Sequence, residues 1–132
     1  MTPAPMVLGL SLCNYVIIEE RTRNASLIGA FTGLSLPEFP ARPLPFSVFA
    51  VLTGGQGDAT VEVAVTRLDT GEEVYSYQNM LRFPEKLTEV RFLLHIQQLL
   101  FPVPGSYDFT LLVDGQWVAS RRLRVYQREE QS

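Results

Sequence analysis

The chain has 132 residues, 46% apolar and 19% charged, with one cysteine, one histidine and a formal net charge of −3. These totals describe one globular domain, large enough to bury a core without disulfides or metal. They exclude an intramolecular disulfide, offer no basic surface for nucleic acid or anionic membrane, and include no apolar run near the ~20 residues of a membrane-spanning helix.

The opening MTPAPMVLGLSLCN has the outline of a short export or lipoprotein signal. No Lys or Arg precedes its apolar run, and Leu12 stands where lipoprotein processing requires a small side chain. We therefore expect a single domain over residues 6–127, with frayed ends at 1–5 and 128–132. The lone cysteine fits a cytoplasmic location, where thiols stay reduced.

Strands are expected in chain order at residues 7–19 (with a break near Cys13), 26–35, 46–53, 59–68, 73–81, 89–96, 106–113 and 117–126. The period throughout is two. Val61, Val63 and Val65 alternate with polar or small neighbours, and so do Val90, Phe92, Leu94 and Ile96, then Tyr107, Phe109, Leu111 and Val113. Alternation of this kind writes a strand with one buried face. Residues 36–45, LPEFPARPLP, cannot pair in a central strand and should carry the chain from one sheet to the other. Asp69-Thr70-Gly71 and Asp114-Gly115 mark two tight hairpins. One helical turn is expected at 97–101, before Pro102. About eight short strands punctuated by turns describe an all-β, two-sheet antiparallel sandwich.

Chemistry-bearing sets are sparse. His95 is the one histidine, so any nucleophile–His–acid set must use it with a serine or Cys13, and no Gly-x-Ser-x-Gly elbow is present. One Cys and one His do not make a structural zinc site. Asp58, Asp69 and Asp114 occupy separate turns, where Asp favours the local backbone geometry. GGQGD lacks the Gly-Lys-Ser/Thr of a phosphate loop. We expect no catalytic set, no metal and no cofactor.

Two surface features stand out. Arg121, Arg122 and Arg124 concentrate charge on the last strand, which deters edge-to-edge pairing or, alternatively, binds an anion. Leu93, His95, Leu112, Tyr75 and Tyr77 fall on the expected outer faces, where apolar groups break the alternation. Two readings stand level for them: a docking surface, or cover by the Pro-rich crossover or by Leu99, Leu100 and Phe101.

The stretch PGSYDFTLLVDGQWVASRRLRV resembles the last hairpin of immunoglobulin-like and fibronectin-type domains, with Tyr107 placed as a tyrosine corner. The antibody disulfide is absent and Trp117 opens the final strand, so the likeness is one of architecture. Across nearly the whole chain, Cys13-Asn14-Tyr15, Ser26-Leu27-Ile28-Gly29-Ala30-Phe31, Pro37-Glu38-Phe39-Pro40 and the segment from Phe101 to Gly115 resemble a family of small bacterial proteins of unknown function with an immunoglobulin-like sandwich. Asn14 stands where that family tends to have Asp. The resemblance implies a fold and no activity. The function expected is non-enzymatic: a protein-interaction or assembly module, with a second copy of the chain as the first candidate partner. A domain binding a small ligand or carbohydrate through loops at one end of the sandwich is the alternative.

Overall fold

The computed structural model describes residues 4–129, and every regular element among them is a β-strand. The outer parts of the two ends expected to fray, 1–3 and 130–132, lie outside the described residues. The strands are β1 (Met6–Ile18), β2 (Ala25–Ala30), β3 (Gly33–Leu36), β4 (Phe46–Thr53), β5 (Gly57–Arg67), β6 (Glu73–Phe83), β7 (Val90–Ile96), β8 (Gly105–Val113) and β9 (Gln116–Gln127). They form a first sheet ordered β2-β1-β4-β7 and a second ordered β3-β9-β8-β5-β6. Every pairing is antiparallel except that of β3 with β9. This is an immunoglobulin-like sandwich.

The described residues form nine strands instead of the expected eight, because residues 26–35 do not form one strand. Phe31 donates its N–H to the Leu12 carbonyl in the first sheet at 2.9 Å. The next residue, Thr32, accepts from the Arg124 N–H in the second sheet at 3.0 Å. The chain therefore changes sheets between adjacent residues. The proline-rich segment brings it back from β3 to β4, as its composition predicts. Within that segment Ala41 exchanges two backbone hydrogen bonds of 2.8 Å with Phe101. This pairing takes the Phe101 N–H that a helical turn at 97–101 would have used, and no such turn forms.

Period-two patterning puts the core between the sheets. Phe46, Val48, Ala50 and Leu52 of β4 and Phe92, Leu94 and Ile96 of β7 are buried on one side. Val61, Val63 and Val65 of β5, with Phe109, Leu111 and Val113 of β8, are buried on the other. Phe46 meets Phe109 edge to face across the interior, ring centres 5.9 Å apart, a geometry aromatic quadrupoles favour. The β8–β9 turn uses Asp114 (φ 50°) and Gly115 (φ 80°), the paired positive φ angles of a tight hairpin. The Asp114 carboxylate also accepts the Thr60 N–H at 2.9 Å, tying this turn to β5.

Tyr107 closes the base of β8. Its ring is fully buried, edge-on to Phe101 at 4.8 Å, and its hydroxyl donates to the Val103 carbonyl at 2.6 Å. Burial raises the phenol's pKa, which keeps the proton that makes this bond. The corner expected from the Gly-Ser-Tyr sequence is thus present. Tyr107→Phe keeps the packing but leaves a part-buried carbonyl without its partner. It should lower unfolding stability by about 1–3 kcal/mol, measured by urea denaturation with an unchanged m-value.

Candidate functional site

β1 serves two partners. Met6 to Cys13 pairs with β4, and Cys13 to Ile18 pairs with β2, so Cys13 is the only residue common to both ladders. Extended straight, the β1–β2 hairpin would project past Phe46 and Ile96, the paired residues at that end of the sheet. It does not. Arg91, at the opposite end of β7, donates from Nη1 to the Arg23 carbonyl at the hairpin tip, 2.6 Å away. Ala25 shares an open cavity of about 600 Å³ with Phe49, Val51, Thr88 and Arg91. The hairpin therefore doubles back across the outer face of its own sheet.

The bend has a local cause. Gly29 sits at φ 69°, and a Cβ built there would lie 2.2 Å from Asn14 Nδ2. Only glycine allows the two limbs to turn this tightly. The tip is held by Glu19, whose carboxylate accepts from the N–H and the hydroxyl of Thr22. The side-chain bond from the Thr22 hydroxyl is the main cause that lowers the Glu19 pKa.

Beneath the hairpin, neighbouring strands place Cys13, Ser47 and His95 in one cross-strand row. Ser47 Oγ and His95 Nδ1 share a hydrogen bond of 3.0 Å. Cys13 is fully buried and Ser47 is 1% exposed, so neither sulfur nor hydroxyl is open to a substrate. Burial pushes the Cys13 thiol's pKa above its ordinary value, away from the reactive thiolate. Among the described residues His95 makes no other side-chain hydrogen bond, and no three His, Cys, Asp or Glu gather. Phe49, on the outer side of β4 beside Leu93, is only 8% exposed under this cover.

The five residues expected to share an interaction surface are dispersed. Leu93 and His95 do lie on the outer face of the first sheet, on its β7 edge. Leu112 is half-buried on the outer face of the second sheet, opposite Glu62. Tyr75 and Tyr77 are a correction: they lie opposite Val65 and Val63 on the inner side of β6 and pack against the core. β6 is an edge strand, so the rings cover the core's margin, and the Tyr77 hydroxyl accepts from Asn79 Nδ2 at 3.0 Å.

The three arginines do not form one patch either. Arg122 pairs with Asp108 at 3.3 Å, and Arg124 lies over the Tyr126 ring at 5.5 Å. Arg121 lines a separate small cavity with Ser11 and Phe31. β3 pairs with β9 from Arg124 onward, so Arg121 and Arg122 occupy the unpaired stretch of its edge. Asp69 pairs with Arg67 in the β5–β6 turn, whereas Asp58, expected in a turn, lies in β5 and pairs across the ladder with Arg82 of β6.

Sequence reasoning missed Tyr15, Ile17 and Ile28, which are 52%, 50% and 37% exposed. Tyr15 faces Ile28 across the hairpin and Ile17 is the next residue on that face. The opposite face, with Val16, Ile18, Ala25 and Leu27, is half-buried. The available signal was the run YVII, which is apolar on both alternating sets at once.

Comparison with known proteins adds a family and distant folds. The model of a family of unknown function, DUF6941, matches residues 9–126. No curated protein matches. An immunoglobulin-like protein from Pseudomonas aeruginosa is similar over 94% of this chain and 98% of its own, at 14% identity and a TM-score of 0.42. The alkylpurine DNA glycosylase AlkC of Pseudomonas fluorescens, bound to DNA containing an abasic-site analogue, is similar over 71% of this chain, at 14% identity and a TM-score of 0.42. The chain spans 27% of that glycosylase's length.

The covered row makes a direct prediction about Cys13. In the folded protein at pH 8 an aromatic disulfide reagent should leave the thiol unmodified, and one equivalent should react on unfolding. Gly29→Ala places a side chain at positive φ, costing about 1 kcal/mol or more. It should speed native-state modification roughly fivefold or more, read as the rate of thiolate release.

Proposed function

The chain belongs to the family of unknown function DUF6941, and from that premise we propose that it is a non-enzymatic assembly module that pairs with a second copy of itself through the β1–β2 hairpin. The observation that carries this reading is the exposed trio Tyr15, Ile17 and Ile28 on adjacent positions of the hairpin's outward face. A two-stranded ribbon has marginal stability by itself. Here one face is spent on covering the sheet, and the other presents contiguous apolar side chains, the usual mark of a docking surface.

The choice of a second copy rests on the edge. β2 ends the first sheet, and its sequence ASLIGA carries no charge to deter strand pairing. The unpaired stretch of β9, by contrast, is guarded by Arg121 and Arg122. Two β2 edges related by a two-fold axis would extend the sheet across the dimer and bring both apolar trios together. A non-catalytic role is supported by the sealing of the one Ser–His contact: a hydroxyl 1% exposed meets no substrate.

Light scattering on eluting protein should give twice the chain mass at tens of micromolar and fall toward the chain mass on dilution. Ile17→Lys with Ile28→Lys should give the monomer at every concentration with thermal stability nearly unchanged, because both side chains already face solvent. A parent protein that remains monomeric up to about 1 mM, where less than ~4 kcal/mol of association free energy is available, overturns the reading.

A further inference from the structure

A second feature lies away from the outward face of the hairpin. Between β3, the proline-rich crossover and the bend of β1 there is a cavity of about 360 Å³. Phe46 and Leu36 wall it from the core side, and Phe31 and Leu34 flank them. Its polar groups are few, chiefly Arg42, Arg128 and Asn14. Small-ligand sites typically have this make-up: a few hundred cubic ångströms, mostly apolar walls, and a small number of placed polar groups.

The charge is one-signed. Among the described residues no carboxylate lines the cavity, and neither Arg42 nor Arg128 forms an ion pair. Arg128 is positioned by one hydrogen bond, from Nη2 to the Ser35 carbonyl at 3.2 Å, and its backbone N–H donates to Leu36 at 2.8 Å. Among the described residues the other guanidinium donors of both have no partner, in a protein whose net charge is negative. Leu44, held between Pro43 and Pro45, stands at the cavity 88% exposed.

We propose that this cavity binds a small amphipathic carboxylate, with its apolar body against Phe31, Leu34 and Phe46 and its carboxylate held by Arg42 and Arg128. Guanidinium forks match carboxylate geometry and form the stronger, charge-assisted hydrogen bonds. At the ~30 Å³ that one water occupies in the liquid, the space corresponds to roughly a dozen heavy atoms, the size of a medium-chain fatty acid or an aromatic acid. The site uses no residue of the proposed dimer face, so the two readings fail independently.

The test is titration of the labelled full chain with sodium decanoate, followed by amide and methyl chemical shifts. Decanoate should give saturable shifts centred on Phe31, Leu34, Leu36 and Leu44. Acetate should give none, and decanol should bind at least about tenfold more weakly, since a charge-assisted bond is lost. Arg42→Gln and Arg128→Gln should each weaken decanoate about tenfold while leaving the spectrum folded. Leu44→Asp, at an exposed position that folding does not require, should weaken it as well. Shifts absent from these residues, decanol binding equal to decanoate, or arginine variants that bind as the parent does would each overturn the proposal.

Discussion

The structure turns on how one strand is divided between two partners. β1 gives its first half to β4 and its second half to β2, and the only residue in both ladders is Cys13. Because the division coincides with the Gly29 bend, the second half leaves the plane of the sheet and returns over it. Antiparallel sheets usually leave one face to water. Here that face receives a third layer from within the same chain. This explains why Phe49 and Ser47 are buried although both point away from the sandwich core. It also explains why the hairpin is apolar on both sides: one side replaces solvent over Phe49, and the other presents Tyr15, Ile17 and Ile28.

The body on which this layer rests is conventional, and its conventional parts hold the unusual ones in place. The Tyr107 corner and the Asp114 turn anchor the two ends of β8, which lies between β5 and β9 in the second sheet. The switch at Phe31 and Thr32 sends β3 to the far edge of β9, and the proline-rich return then closes against Phe101. The arginine-bearing cavity lies where β3, that return and the bend of β1 meet. The cavity and the hairpin thus share a single origin, the point at which the first strand stops being flat. A change at Asn14 or Gly29 should be felt by both.

Much of the fold was legible because its signals are local. Alternation fixes which side of a strand is buried, and Asp-Gly and proline mark where strands stop, so strands, hairpins and the tyrosine corner could all be read from short windows. The failures share one physical cause, which is that pairing between distant strands is not written locally. Ser47 and His95 are 48 residues apart and meet only through the register of β4 on β7. In β6 both alternating sets carry apolar residues, and only the pairing of Tyr75 and Tyr77 with Val65 and Val63 decides which set faces inward. The segment 26–35 reads as one strand, since nothing in Ala30-Phe31-Thr32 announces a change of sheet. The two-faced apolar run at YVII was visible, but it takes a third layer to give it a meaning.

The central claim is therefore the returned hairpin, and paramagnetic broadening tests it most directly. A nitroxide placed at Glu20→Cys, an exposed position in the tip, labels that site alone because the native Cys13 is buried. A hairpin folded over the sheet broadens the amides of Val51, Val90 and Arg91. Broadening at the Phe46 and Ile96 end instead, with Val51 and Arg91 left sharp, would mean that the hairpin projects from the sandwich, and the account would be wrong.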